Sequence, residues 1–157
     1  MEEEFKVARL RQAVSAVVFS GSRFFMMSGV DWPEGSWCFP QGGLKLGETH
    51  REAVRRELVE ELGTDKFEIL GKSVFDHSYL FPNEIKKKKG CDGQYQTIWL
   101  VEFLGDPEEI KINDVEIMQH RWFGENEVIL NMRYPEQKEI FTKVLEELKK
   151  LREGKIL

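Results

Sequence analysis

The segment GGLKLGETHREAVRRELVEELG, residues 42–63, carries the strongest structural signal in the chain. Its second half predicts an α-helix, with Thr49 as the N-cap and Glu52 three residues later in a capping-box arrangement. Gly63 stands where a glycine commonly ends a helix. The apolar residues that recur every four positions are Val54, Leu58 and Leu62. This stripe predicts the buried side of the helix.

The same helix carries three glutamates on one face. Glu57, Glu60 and Glu61 stand at positions i, i+3 and i+4, so their side chains project from one side. One explanation is a solvated acidic surface, whose repulsion nearby arginines reduce. The other is a bound cation, since three carboxylates beside a glycine-rich loop form an all-oxygen site that suits Mg²⁺ or Mn²⁺. The helical spacing alone leaves both explanations open.

The first half of the chain predicts strands around this helix. Residues 13–30 contain two apolar runs separated at Gly21, which is the pattern of a β-hairpin. Residues 31–48 are rich in glycine and proline and predict a loop with at most a short strand. Further strands are predicted over residues 67–81, with a bend or break near Gly71, over 94–105 near the sheet centre, and over 116–124.

The remaining segments predict a polar loop and two helices. The loop covers residues 83–93, and the helices cover residues 124–130 and 135–154. The last helix is predicted to be amphipathic through Ile140, Val144, Leu148 and Leu151. No internal repeat or linker interrupts residues 1–157, so we expect one domain of the mixed α/β class.

Composition limits the possible settings. The formal net charge of −5 does not favour general nucleic-acid binding, so we expect no DNA partner and expect anionic substrates to be bound locally or through a metal. Cys38 and Cys91 are far apart, which favours two free thiols in a reducing compartment. The N-terminus is acidic and no apolar run is long enough to span a membrane. We therefore expect a cytoplasmic protein without a membrane partner.

The glutamate helix belongs to a longer pattern, G-x5-E-x7-R-E-U-x-E-E-x-G-U, in which U is a bulky aliphatic residue. The matching residues are Gly42, Glu48, Arg56, Glu57, Leu58, Glu60, Glu61 and Gly63. This pattern resembles the Nudix box, and only Thr64, at the last U, departs from it. The resemblance implies a Nudix-type α/β/α sandwich, with the box helix packed on a mixed β-sheet.

Three other segments are similar to one subgroup of that family, the RNA pyrophosphohydrolases and asymmetric dinucleoside tetraphosphate hydrolases. SWCFPQGG resembles the W-x-F-P-Q-G-G of this subgroup, GQYQTIWLVEF its G-Q-x-Q strand, and EIMQHRWF its E-x-x-x-W-R-W-V segment, with His120 in place of the first Trp. The motif order agrees from about Val14 to Phe123.

The resemblance implies a metal-dependent enzyme that cleaves diphosphate linkages in nucleoside polyphosphates. The expected substrates are dinucleoside polyphosphates, such as diadenosine tetraphosphate, or the 5′-triphosphate end of RNA. A house-cleaning nucleoside triphosphate pyrophosphatase is the alternative enzyme. An inactive nucleotide-sensing module is a further alternative, but such modules usually lose box glutamates, and this chain keeps them.

The resemblance also implies roles for box residues. Glu57, Glu60 and Glu61, helped by the backbone carbonyl of Gly42, are the expected ligands of Mg²⁺, for which Mn²⁺ is able to substitute. Arg56 is expected to hold the glutamates through salt bridges. Glu48 is expected to have a similar supporting role at the helix start, where the helix dipole favours a carboxylate.

Outside the box, Glu116 resembles the distal glutamate that, in RNA pyrophosphohydrolases, binds a metal or accepts the proton of the attacking water. The alternative is an exposed loop carboxylate, as for Asp114. If Glu116 does not act, Glu60 or Glu61 is left as the base.

Substrate-binding candidates complete the prediction. They are Lys45, Tyr79, Phe81, Lys87, Tyr95 and Gln96. The aromatic members are candidates for stacking on a base, or are packing residues. The run Lys86–Lys89 is either a solvated loop or an attractant for a polyphosphate or an RNA 5′ end. The assembly is expected to be a monomer or a homodimer.

Overall fold

The computed structural model describes residues 7–29, 35–112 and 117–154. Six strands are present in this part of the chain: β1 Leu10–Ser20, β2 Arg23–Gly29, β3 Gln41–Gly43, β4 Phe67–Leu80, β5 Gly93–Phe103 and β6 Ile117–Gly124. The α-helices are α1 His50–Leu62, α2 Asn83–Lys89, α3 Glu125–Val128 and α4 Pro135–Arg152. Short 3-10 turns cover Pro107–Glu109 and Ile129–Asn131.

The strands form one mixed sheet in the order β4-β5-β1-β2-β6. Strands β1 and β5 are parallel, and the other pairs are antiparallel. On the side of β1 away from β5, β2 pairs at Phe19 and Ser20, whereas β3 pairs at Ala13 to Ser15. The loop strand β3 therefore lies beside the first half of β1, where the β1–β2 hairpin has opened.

Helices cover both faces of this sheet, which confirms the predicted sandwich. On one face, here called the α1 face, Val54, Leu58 and Leu62 pack with Val14 and other sheet residues in a buried cluster. On the opposite face, the α4 face, helix α4 packs over a second cluster. Each large apolar side chain buried in this way contributes roughly 1.5–3 kcal/mol to stability.

The ends of α1 are those that the sequence predicts. The hydroxyl oxygen of Thr49 accepts a hydrogen bond from the Glu52 backbone N–H at 3.1 Å, and the hydroxyl donates to the Glu52 carboxylate at 2.9 Å. At the other end, Gly63 has a φ of 71°, a left-handed conformation that favours glycine. The caps fix where α1 begins, and hence the position of its glutamates.

Strands β4 and β5 agree with their predictions. Strand β5 is paired on both sides, as expected of an inner strand. Strand β4 is irregular near Gly71, since its register with β5 shifts between Ile69 and Gly71 and again between Lys72 and Asp76.

One prediction about local structure was wrong, and another was right only in part. Residues 83–89, predicted to be loop, form α2, which ends at Gly90 with a φ of 71°. The polarity of the lysine run suggested a loop, although lysine is a good helix former. The predicted apolar face of α4 is right in part: Val144 and Leu148 are buried and Ile140 packs against the same cluster, but Leu151 is 39% exposed. Phe141 and Leu145 complete the buried stripe. None of the helices described is long and apolar enough to cross a membrane.

Candidate active site

A single arginine joins the box helix to the loop before it. The Arg56 guanidinium donates to both oxygens of Glu48, at 2.7 and 2.9 Å, and to Glu57 Oε1 at 2.7 Å. It also donates to the backbone carbonyl of Gly43 at 2.9 Å, and its Nη1 lies 3.6 Å from Glu60 Oε2. The Arg56 side chain is only 19% exposed. The hydrogen-bond donors of the Arg56 guanidinium are therefore directed at groups of the protein itself.

The network changes the acidity of its members. Hydrogen bonds from Arg56 and from the Lys45 backbone hold the pKa of Glu48 at about 2. The pKa of Glu57 is raised, because burial outweighs the attraction of Arg56. The pKa of Arg56 is raised, chiefly by its hydrogen bond to Glu48. Arg56 and Glu48 are therefore charged at neutral pH, whereas Glu57 is a carboxylate in an environment that disfavours its charge.

Gly42 leaves room for the Glu57 carboxylate. A β-carbon at Gly42 would overlap the carboxylate of Glu57, which therefore lies directly against the backbone of β3. Gly42 pairs with Val14, a residue of the α1-face cluster. The sequence prediction that Gly42 and Glu57 belong to one site thus has a geometric counterpart, a carboxylate placed on the loop backbone.

The predicted metal ligands are not gathered around one point. In the described ranges, no three Asp, Glu, His or Cys side chains lie close enough together to form a ready-made metal site. Glu60 is half exposed, whereas Glu61 is buried. The pKa of Cys38 is raised chiefly by burial of its thiol and further by the nearby Glu61. The donors fit a hard cation in type, since they are all oxygens and Glu57 touches the loop backbone.

Another polar cluster lies across β3, on the α4 face. The Gln96 side-chain amide donates to Gln41 Oε1. Nearby, Arg11 Nε donates to Gln94 Oε1 at 3.1 Å, and Gln94 Nε2 donates to the Tyr79 hydroxyl at 3.0 Å. Gln94 and Gln96 are both buried. Two of the predicted substrate-binding residues, Tyr79 and Gln96, are therefore brought to one end of the sheet.

Strand β3 separates this cluster from the glutamates. A β-carbon at Gly43 would lie 3.0 Å from the Arg11 guanidinium, whereas the adjacent Gly42 faces Glu57. Successive residues of a strand point to opposite faces. Gly42 therefore faces the carboxylates, and Gln41 and Gly43 face the amide–arginine cluster, which we define as Arg11, Gln41, Gln94 and Gln96.

The structure separates Tyr95 from Tyr79. Tyr95 follows Gln94 on β5, so its side chain points to the α1 face, where its hydroxyl donates to Asp76 at 2.6 Å. That hydrogen bond raises the pKa of Tyr95. The two tyrosines that are candidates for stacking on a base therefore lie on opposite faces of the sheet.

The other substrate candidates differ in exposure. Phe81 is 8% exposed and packs edge-on against Tyr79, so it is a packing residue rather than an open stacking surface. Lys45 and Lys87 are exposed. Glu116 and its neighbour Asp114 lie outside the described residues.

Two residues near Tyr79 were not among the sequence candidates: Arg11, which belongs to the cluster, and Tyr134. Burial raises the pKa of Tyr79 to about 12, and Arg11 and Tyr134 are close enough to influence it. Tyr134 precedes α4 and is 58% exposed. The sequence did contain a signal for Arg11, because alternate residues of a strand share a face and Arg11 therefore lies on the same face as the buried Ala13 and Ser15. No sequence signal identified Tyr134.

Comparisons with known proteins place these features in a family. Residues 9–144 match the NUDIX domain. The chain is 39% identical over 125 residues to the RNA pyrophosphohydrolase of Nitratiruptor sp., an alignment covering 72% of this chain and 80% of that protein. It is 35% identical over 135 residues to the RNA pyrophosphohydrolase of Orientia tsutsugamushi, covering 83% of this chain and 80% of that protein.

Solved structures share the fold. An Ap4A hydrolase from C. elegans, in a binary complex, aligns with a TM-score of 0.69 at 19% identity, covering 89% of this chain and 98% of that one. The E. coli dihydroneopterin triphosphate pyrophosphohydrolase aligns with a TM-score of 0.71 at 15% identity, covering 88% and 97%. At these identities the likeness supports the fold only.

Proposed function

The chain belongs to the NUDIX family, and on that premise we propose that it is a metal-dependent pyrophosphohydrolase whose preferred substrate is the 5′-triphosphate end of RNA. Dinucleoside polyphosphates are the second proposed substrate class. Both present a nucleoside that carries a chain of phosphates, so both fit a site that binds a nucleoside beside a phosphate-binding loop.

The observation that carries this proposal is the two-sided arrangement around β3. Glu57, held by Arg56, lies against Gly42 on one face. Arg11 approaches Gly43 from the other face, where it is joined to Gln94. A substrate that lies across this strand meets the Arg11 guanidinium and side-chain amides on the α4 face, and the box carboxylates on the α1 face. In this proposal Arg11 contacts the phosphate chain and Tyr79 borders the nucleoside.

In this proposal a divalent cation binds beside the carboxylates on the α1 face, where it supplies the positive charge needed to hold the substrate phosphates. When bound, Mg²⁺, or Mn²⁺ in its place, neutralises phosphate oxygens and acidifies a bound water. Glu57, Glu60, Glu61 and the Gly42 carbonyl are the proposed ligands. Glutamate side chains have three rotatable bonds, so half-exposed Glu60 is able to turn toward Glu57 without a change in the helix.

Other residues hold this arrangement in position. Arg56 fixes Glu57 against the loop, and Glu48 in turn fixes Arg56 through two hydrogen bonds. The buried position of Glu57 disfavours its charge, which favours a cation partner. Glu116 remains the proposed proton acceptor or additional ligand, with Glu60 or Glu61 as the alternative base.

The relatives support RNA as the first substrate. The two relatives described above, at 39% and 35% identity, are both named RNA pyrophosphohydrolase. The second substrate class is supported by the sequence segments that resemble those of the asymmetric dinucleoside tetraphosphate hydrolases. A cytoplasmic location and a monomeric or homodimeric state are further proposals, the first supported by two free cysteines, Cys38 and Cys91.

A substrate panel tests the proposed function. Purified protein is incubated with 5′-triphosphorylated RNA, diadenosine tetraphosphate and the free nucleoside triphosphates, first with Mg²⁺ and then with Mn²⁺, and all products are identified. We expect RNA to become 5′-monophosphorylated at the highest kcat/KM. Faster hydrolysis of free nucleotides than of the other two classes would contradict the substrate assignment and favour a house-cleaning enzyme.

A further inference from the structure

Helix α2 concentrates positive charge in a chain whose formal net charge is −5. Its second half consists of four consecutive lysines, Lys86–Lys89, of which the last three are exposed. Within the described ranges, no carboxylate lies within 4.0 Å of the ammonium groups of Lys86, Lys87 or Lys88. The charge of these three lysines is therefore not neutralised by a protein ion pair there.

The charged helix is fixed to the sheet. The Arg9 guanidinium donates to the Gly90 carbonyl at 2.7 Å, at the end of α2. Just beyond, the Arg9 backbone N–H donates to the Asp92 carboxylate at 2.7 Å, and Asp92 N–H donates to the Arg9 carbonyl at 2.8 Å. Lys89 Nζ lies 5.8 Å from the centroid of the buried Phe81 ring. These contacts give the lysines a defined position, unlike those of a solvated loop.

The helix also adjoins the proposed site. It connects the end of β4, which carries Tyr79, to the start of β5, which carries Gln94 and Gln96. At about 3.3 Å per strand residue, Gln96 is roughly 10 Å from the first residue of β5. Helix α2 ends at Lys89, shortly before β5 begins, so an anionic chain that leaves the proposed site at this end of the sheet passes the lysines.

We propose that α2 binds the sugar–phosphate chain of single-stranded RNA downstream of the 5′ end that is hydrolysed. This inference rests on the proposed function. Lysines on one helix act as point charges toward phosphates and read no base, so the contact is independent of sequence. A dinucleoside polyphosphate has no nucleotides beyond its phosphate chain. The helix therefore favours RNA over small nucleotides at a site whose chemistry suits both.

The salt dependence of binding gives the expected size of the effect. Each phosphate neutralised on a single strand contributes about 0.7 to the slope of log K against log salt. Lys87 and Lys88, which are exposed and have no ion pair among the described residues, therefore contribute a slope of up to about 1.4. Between 50 and 200 mM salt, this corresponds to a loss of affinity of up to roughly sevenfold.

A binding experiment tests the inference without catalysis. Fluorescence anisotropy measures the affinity of the full chain for a 12-nucleotide RNA with a 5′-hydroxyl end, in EDTA, from 50 to 200 mM KCl. The test variant is Lys87→Gln, Lys88→Gln and Lys89→Gln combined, because glutamine keeps a similar helix propensity. Circular dichroism verifies that the variant is folded.

The matched control removes three charges from α4, through Lys143→Gln, Lys149→Gln and Lys150→Gln. The end of α4 lies at the opposite end of the sheet, since Arg152 stacks on Phe19, nine residues along β1 from Leu10. This control has the same net charge as the test variant. We expect the α2 variant to bind more weakly at 50 mM and to have a flatter salt slope, while the α4 variant resembles the wild type.

Equal salt slopes for the wild type and the α2 variant would overturn the inference, and so would an equal loss of RNA affinity in the α4 variant.

A second measurement separates the proposed RNA-chain contact from the proposed function. We expect wild-type kcat/KM to be higher for a triphosphorylated 12-mer than for a triphosphorylated dinucleotide, and this ratio to fall in the α2 variant. Hydrolysis of neither RNA would contradict the proposed function. Hydrolysis of the 12-mer and the dinucleotide with equal kcat/KM would contradict only the RNA-chain contact. The same would follow if the α2 variant lost as much kcat/KM on diadenosine tetraphosphate as on the 12-mer.

Discussion

Replacing Arg56 by lysine tests whether the arginine acts by positioning the box carboxylates. The substitution keeps one positive charge but removes the planar fork that reaches Glu48, Glu57 and the Gly43 carbonyl together. A lysine ammonium is a point charge on a flexible stem, so it is able to keep one of these partners but not all. We expect the fold to persist and the carboxylates to lose their fixed geometry.

The contacts set the size of the effect. Losing two charge-assisted hydrogen bonds in this mostly buried network costs about 3 kcal/mol. For a domain of this length, each kcal/mol lowers Tm by about 2–4 °C, so we expect a decrease of about 6–12 °C. Displacement of a positioned group by about 1 Å costs on the order of a hundredfold in rate. We therefore expect kcat to fall by about that factor, with KM changed much less.

The neighbouring Arg55→Lys provides the control. Arg55 is 57% exposed and makes one ion pair, 3.9 Å long, with the exposed Asp65. A surface pair of this kind is worth about 0–1 kcal/mol, so this variant should melt and turn over nearly as the wild type does.

The pH dependence gives the experiment a second readout. The lowered pKa of Glu48 makes its contribution to stability fully present above its ordinary pKa of 4.5, and that contribution is lost as pH falls toward about 2. The Tm difference between Arg56→Lys and the wild type should therefore be largest above pH 5 and shrink in acid. Identical Tm and kcat in the Arg55→Lys and Arg56→Lys variants would refute the positioning role, and a rise in KM alone would place Arg56 on the substrate.

Three further predictions concern the glycine loop, the thiols and the distal glutamate. Gly42→Ala should lower kcat, because the added methyl group displaces the Glu57 carboxylate. Gly43→Ala crowds Arg11 and should mainly raise KM. Steady-state kinetics that show the same change in both variants would contradict the two-sided site. Burial and the nearby Glu61 raise the pKa of Cys38, so an aromatic disulfide reagent at pH 8 should label the partly buried Cys91 first and Cys38 only on unfolding. Equal labelling rates for the two thiols would be contrary evidence. Glu116→Gln should reduce kcat much more than it changes KM, while Asp114→Asn should do little; matched losses in both variants would show that the distal glutamate was misassigned.

Local signals predicted the parts of the fold that depend on neighbouring residues. The caps at Thr49 and Gly63 and the turn at Gly21 each need only a few adjacent residues, and the structure confirms them. Helix α2 was missed because its seven residues are too few to be stable alone. In the folded protein the end of α2 is held by a hydrogen bond to Gly90 from Arg9, which is far away in the sequence.

The site was predictable to a lesser extent, for a related reason. The box pattern predicts which carboxylates share a helix face, but not that Arg56 draws Glu57 onto Gly42 while Glu61 is buried. Tyr79 and Tyr95 are both aromatic residues near the same motif, and only the strand register shows that they point to opposite faces. The arrangement of Arg11 with Gln94 depends on the parallel pairing of β1 and β5, which local pattern does not reveal.

The carboxylates of the box helix are proposed to carry a cation-dependent cleavage of diphosphate linkages. The most direct test is to measure the products released from 5′-triphosphorylated RNA in EDTA and after addition of excess Mg²⁺, for the wild type and for Glu60→Gln. We expect no hydrolysis in EDTA, full recovery with Mg²⁺ in the wild type, and a kcat lower by on the order of a hundredfold or more in the folded variant. Robust hydrolysis in EDTA, or a Glu60→Gln variant as active as the wild type, would contradict the account.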